Sequence, residues 1–83
     1  MPEKPTTAQQ LLAAICQQLT SKADLGMVSI IVSMMGLHET EQFLIQTGRE
    51  MGCEFSVIRD SVFELRDRAC CNTCAMLQKA AAF

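Results

Sequence analysis

The run LGMVSIIVSMMGL, residues 25–37, decides the fold. Two readings compete for it. The segment VSIIV is rich in β-branched residues, which favour a pleated strand. Yet Met27, Val28, Ile30, Ile31, Val32, Met34 and Met35 cover nearly the whole circumference of a helix from about Leu25 to Met35. A helix that is apolar on most sides is a buried one. A strand also needs a partner, because a lone strand exposes a row of unpaired backbone donors and acceptors. No second strand-like segment stands elsewhere in the 83 residues. The helical reading is therefore preferred, with Gly36 as the residue just past its end. The run is too short to cross a bilayer, so it reads as a core helix and no membrane role is expected.

Helical periodicity continues on both sides. Upstream, Thr6 to Gln9 and Thr7 to Gln10 each fit a capping box, in which a hydroxyl and a glutamine satisfy orphan backbone N–H groups. Ala8, Leu11, Leu12, Ile15, Cys16 and Leu19 then fall on one stripe, with Gln9, Gln10, Gln17 and Gln18 outward. The stretch TSKAD breaks this first helix, and Ser21 or Asp24 is the candidate cap of the second. Downstream, LHETEQ opens a third helix with His38 or Thr40 as its expected cap. Phe43, Leu44, Thr47 and Met51 share a face, and Gly52 ends it. Gly48 lies inside this helix at a cost of about 1 kcal/mol against Ala, which predicts close approach by another helix. After the connector CEFS, Ser56 is the expected N-cap of a fourth helix from Val57 to about Lys79. Its stripe is Ile58, Val62, Leu65, Ala69 and Met76, flanked by Phe63, Cys70 and Leu77, with Glu64 and Arg68 as an i, i+4 ion pair.

The expected fold is thus all-α: a small four-helix bundle of antiparallel helices joined by short loops. Residues 1–5 read as a disordered tail, 6–79 as one helical domain and 80–83 as a frayed end. A composition 49% hydrophobic, with no Trp or Tyr, calls for a core of aliphatic side chains and Met. Net charge is −2, and the seven basic residues are scattered. Arg59, Arg66 and Arg68 are interleaved with Asp60, Glu64 and Asp67, so the clustered cations that grip phosphates are missing and no nucleic-acid role is expected. No apolar h-region follows MPEKPTT, so a cytoplasmic location is expected, with the five cysteines mostly as thiols.

The stretch LHETEQFLIQTGREMGCEFS, with AQQLLAAICQQL and ADL ahead of it, resembles the Nif11 domain family over about residues 7–62. The matching positions are Leu11 and Ile15 in the opening helix, Asp24 and Leu25 after it, and Gly52, Phe55 and Ser56 at the connector. The resemblance implies a small helical domain, in some members the leader of a ribosomally made peptide. It then implies that ACCNTCAMLQKAAAF is the segment a modifying enzyme acts on, with Cys70, Cys71 and Cys74 as thiols and Thr73 as the dehydratable residue. The chain departs from such leaders in its last glycine, Gly52, which leaves no Gly-Gly-type cleavage site before that segment.

Cys70, Cys71 and Cys74 fall within five positions. On a helix Cys70 and Cys74 are i, i+4 neighbours and Cys71 and Cys74 are i, i+3 neighbours, so three thiols converge. The first reading is packing, since free cysteine is among the most buried residue types. The alternatives are a zinc site, with Cys16, Cys53 or His38 as fourth ligand, and redox or covalent modification. The position late in a helix disfavours a thiolate and with it thioredoxin-like work. His38 has no orienting partner for nucleophilic catalysis, the carboxylates Glu39, Glu41, Glu50, Asp60, Glu64 and Asp67 read as solvated faces, and the glycines form no phosphate loop. No enzyme and no cofactor is expected. The expected function is binding of a protein partner or of a second copy through apolar surface left uncovered, with Met27, Ile31, Met34, Met35 and Phe63 as the interface.

Overall fold

The computed structural model describes residues 4–81, with side chains over 4–69. Along it run α1 (Ala8–Thr20), a 3-10 turn (Leu25–Met27), α2 (Val28–Met35), α3 (Leu37–Glu50) and α4 (Phe55–Ala81). There is no strand among the described residues, so the chain is an all-α bundle with short connections and the run from Leu25 is helical. A 3-10 turn replaces its first three residues, a common way for a helix to begin.

Thr7 caps α1, its hydroxyl accepting the Gln10 N–H at 3.2 Å. The Gln10 side-chain oxygen reaches back past the cap and accepts the Thr6 N–H at 2.8 Å and its hydroxyl at 3.0 Å. The expected box therefore closes across both threonines. Pro5, placed in the tail by the sequence, is buried, and residues 1–3 lie outside the described residues. At the other end of α1, Ser21 takes a left-handed conformation (φ +66°) and donates its N–H to Gln17 O at 2.9 Å. Asp24 opens the next element, its Oδ1 accepting the Gly26 N–H at 2.9 Å.

A single residue, Gly36, joins α2 to α3. Its N–H donates to Val32 O at 2.8 Å and closes α2, while its own carbonyl accepts from Thr40 N at 3.1 Å and opens α3. It does both at φ +92°, ψ 151°, where a side chain is strained. Because this turn is so tight, α3 begins at Leu37. His38 is then an exposed first-turn residue, and Thr40 is buried inside the helix with its hydroxyl donating to Gly36 O at 2.7 Å. Neither is a side-chain cap, which corrects the expectation for both. The other end of α3 follows the Schellman pattern: Cys53 N–H donates to Gly48 O at 2.9 Å and Gly52 N–H to Arg49 O at 3.1 Å.

Ser56 is not the cap of α4 either. The helix begins at Phe55, and Glu54 O accepts the Ile58 N–H at 3.1 Å. The early start places Phe55 on the helix itself and turns Val57 into the core. At the other end α4 continues to Ala81, past the expected stop near Lys79, while residues 82 and 83 lie outside the described residues. At 1.5 Å per residue it is about 40 Å long, and it packs against α1, α2 and α3.

The core joins Leu11, Leu12, Ile15 and Cys16 of α1 to Val28 and Ile31 of α2, Leu44 of α3, and Val57, Ile58 and Leu65 of α4. Gly48 sits where α3 meets α4 and α1. A Cβ there would lie 2.7 Å from Ile58 Cγ1 and 3.2 Å from Leu11 Cδ2, so the predicted close approach is found. The Glu64–Arg68 pair forms at 3.1 Å. Glu41 departs from expectation: it is 9% exposed rather than on a solvated face, because Arg66 of α4 covers and neutralises it.

Candidate functional site

Two rows of side chains climb α4 at helical spacing. The inner row is Ile58, Val62 and Arg66; the outer row is Phe55, Arg59 and Phe63. Residues four apart stand one above the other on a helix, so each row is a ridge. Ile58 packs into the core and Val62 is half-buried against it. The outer row stays in solvent, with Phe55 77% and Phe63 58% exposed. On the facing helix, Ile45 and Arg49 of α3 are also four apart. Together these residues line a groove of about 300 Å³ between α3 and α4.

The groove has an apolar lining and three cations, with no anion among the described residues that line it. Arg66 is held by Glu41, with Nε to Oε1 at 2.6 Å and Nη2 to Oε2 at 3.3 Å. That bond raises the already high pKa of Arg66, so the group stays charged. Arg59 meets Asp60 at 3.5 Å with both side chains more than half exposed, a pairing of little strength. No ion pair among the described residues engages Arg49, which stands in the last turn of α3 where its charge complements the helix dipole.

The expected interface residues fare unequally. Phe63 lies in the groove. Met34 is the most exposed of the set at 80%. Met27 and Met35 are half-buried and pack against the core. Ile31 is 3% exposed and belongs to the core, so it is removed from the interface; α2 turns that side chain onto its neighbours. Ile30 and Met34, four apart on α2, and Leu37 at the start of α3 are further exposed apolar side chains. Phe55, Ile45 and the arginines were missed. Their signal was present as the spacing 55, 59, 63 beside 58, 62, 66, but only with the helix begun at Phe55.

For metal or redox chemistry the described residues offer little. Cys16 is buried in the core, Cys53 is half-buried on the connector and His38 is exposed on α3. No group of three or more His, Cys, Asp or Glu that could hold a metal ion occurs among the described residues. Burial, reinforced by Asp24 and opposed by Arg68, raises the Cys16 thiol pKa; burial also raises Cys53, against a lowering by Lys4. Both thiols are therefore protonated and poorly nucleophilic at neutral pH. The side chains of Cys70, Cys71 and Cys74 lie outside the described residues. No described helix is long and apolar enough to cross a membrane.

No protein-family model, curated protein or solved structure matches this chain.

Proposed function

We propose that this is a non-enzymatic helical protein that acts by binding a protein partner, in the manner of a regulator, adaptor or inhibitor. The observation that carries the reading is the exposure of two phenylalanines on one ridge, Phe55 at 77% and Phe63 at 58%, on the wall of an apolar groove. The chain has four phenylalanines in all and no Trp or Tyr. Leaving each of these rings in water forgoes about 2 kcal/mol of burial. Aromatic side chains, Phe among them, are enriched in the buried core of protein interfaces relative to the rest of the surface.

The test compares the wild type with a Phe55→Ser, Phe63→Ser double variant as baits in quantitative affinity capture. Circular dichroism checks that helicity is kept. A protein retained by the wild type and lost from the variant supports the reading. Identical captures by the two baits overturn it.

A further inference from the structure

We propose that the α3–α4 groove receives an acidic amphipathic helix from a different protein, with its apolar face on Ile45, Ile58 and Val62 and its carboxylates against Arg49 and Arg59. The inference rests on the protein-binding reading and specifies the chemistry of the partner.

Three observations select this occupant. The first is length. From Phe55 to Arg66 the ridges rise about 17 Å, or three helical turns. That length suits a helix seated by side chains at i, i+4 and i+7, the helix-in-groove mode of recognition. A groove between two helices offers no strand edge for an extended peptide to pair with.

The second is charge. The chain as a whole is acidic, at −2, yet three of its seven basic residues line this groove and no acidic residue among the described ones does. Arg49 lacks an ion-pair partner among the described residues, and Arg59 has only its exposed neighbour Asp60. Arg66 uses Nε and Nη2 on Glu41 and retains Nη1. Carboxylates on an incoming helix would complete these groups, whereas Lys or Arg would meet like charge as the groove loses water.

The third weighs against a second copy. Among the described residues, the large apolar side chains exposed outside the groove are Leu19 on α1, Ile30 and Met34 on α2 and Leu37 at the start of α3, and neither α1 nor α2 carries an acidic residue. The acidic helix α3 already spends its apolar face on the core, with Leu44 and Thr47 buried. Single-stranded nucleic acid also fits aromatic and cationic groups. Here the floor is aliphatic, which suits apolar side chains rather than stacked bases.

The experiment is a selection from a displayed library of random segments about 15 residues long, enough for three turns with frayed ends. The full chain is the target. The expected consensus has apolar residues at i, i+4 and i+7 with Asp or Glu beside them. Its binding should weaken about tenfold in an Arg49→Glu, Arg59→Glu variant. Both arginines are exposed, so the variant should keep its helicity. A consensus that is neutral or basic, failure to enrich any sequence, or tighter binding of an oligothymidylate than of the selected peptide would overturn the inference. So would sedimentation showing a dimer that the Phe55→Ser, Phe63→Ser variant dissolves. If capture of a native partner depends on the phenylalanines but not on the arginines, this inference fails and the protein-binding reading survives. If capture ignores the phenylalanines, the reading itself fails.

Discussion

Arg66 on α4 grips Glu41 on α3 with both carboxylate oxygens engaged, at 2.6 Å and 3.3 Å, across 25 positions of sequence. The carboxylate side chain is 11% exposed and the guanidinium side chain 54% exposed, so the burden of desolvation falls on Glu41. Removing the cation strands a nearly buried anion. Arg66→Gln should lower the melting temperature more than Glu41→Gln does, and the double variant should lose less than the sum of the two. Thermal denaturation of the four proteins checks this. Additive losses would mean that solvent already screens the pair.

Gly48 and Ile58 test the tightest helix contact. Alanine at 48 gains about 1 kcal/mol of helix propensity. Its Cβ would also lie 2.7 Å from Ile58 Cγ1, next to the branch point of a stiff side chain, so relief requires shifts of whole helices. Overpacking of this kind costs about 1–3 kcal/mol, and Gly48→Ala should be destabilising on balance. Ile58→Ala alone should cost about 2–5 kcal/mol. In denaturant titrations the double variant should be less destabilised than the two single changes summed.

Ser21 gives the opposite sign. It holds φ +66° at the end of α1, a conformation that costs a residue with a Cβ about 1–2 kcal/mol. Ser21→Gly removes that cost and adds freedom to the unfolded chain, for a net gain of ~0.5–1 kcal/mol in unfolding free energy. A loss of stability would show that the serine side chain contributes to the turn.

Cys16 predicts an alkaline limit. Burial raises its pKa above the ordinary value of 9.0, with Asp24 adding to the effect and Arg68 opposing it. Below 9.0 both folded and unfolded chains carry the thiol, and stability is at its full value. Above it the unfolded chain releases the proton first, so stability falls by up to about 1.4 kcal/mol per pH unit until the folded pKa is passed. Denaturant titrations at rising pH should show this decline, and a Cys16→Ala variant should lose that component. At neutral pH, alkylation resolved by peptide mass spectrometry should be slower at Cys16 than at half-buried Cys53.

The helices were legible because their apolar residues recur at the helical period. Leu11, Leu12 and Ile15 were read as one face of α1, and all are buried there. Gly48 was legible for a different reason: a glycine in mid-helix has a cost that only a close neighbour explains. The ends were harder. Thr40 and Ser56 are good capping residues in isolation, but Gly36 and Glu54 supply the first backbone acceptors of their helices instead. That shift at Ser56 hid the groove, since Phe55 was assigned to a connector and its row with Arg59 and Phe63 was broken. Glu41 gives no local sign of its burial, because its partner Arg66 is 25 positions away and no local pattern reveals a pair formed by folding.

The Gly36 junction has a consequence for how this sequence can change. A loop of several residues takes up an insertion by bulging outward. One glycine holding hydrogen bonds on both sides has no slack to do so. Adding or deleting one residue there would turn α3 by about 100° around its own axis relative to α2. Leu44 would then swing off the core and the notch at Gly48 would no longer meet Ile58. The phase between these two helices is locked, so an insertion inside the bundle should be better tolerated in the segments 21–24 and 51–54.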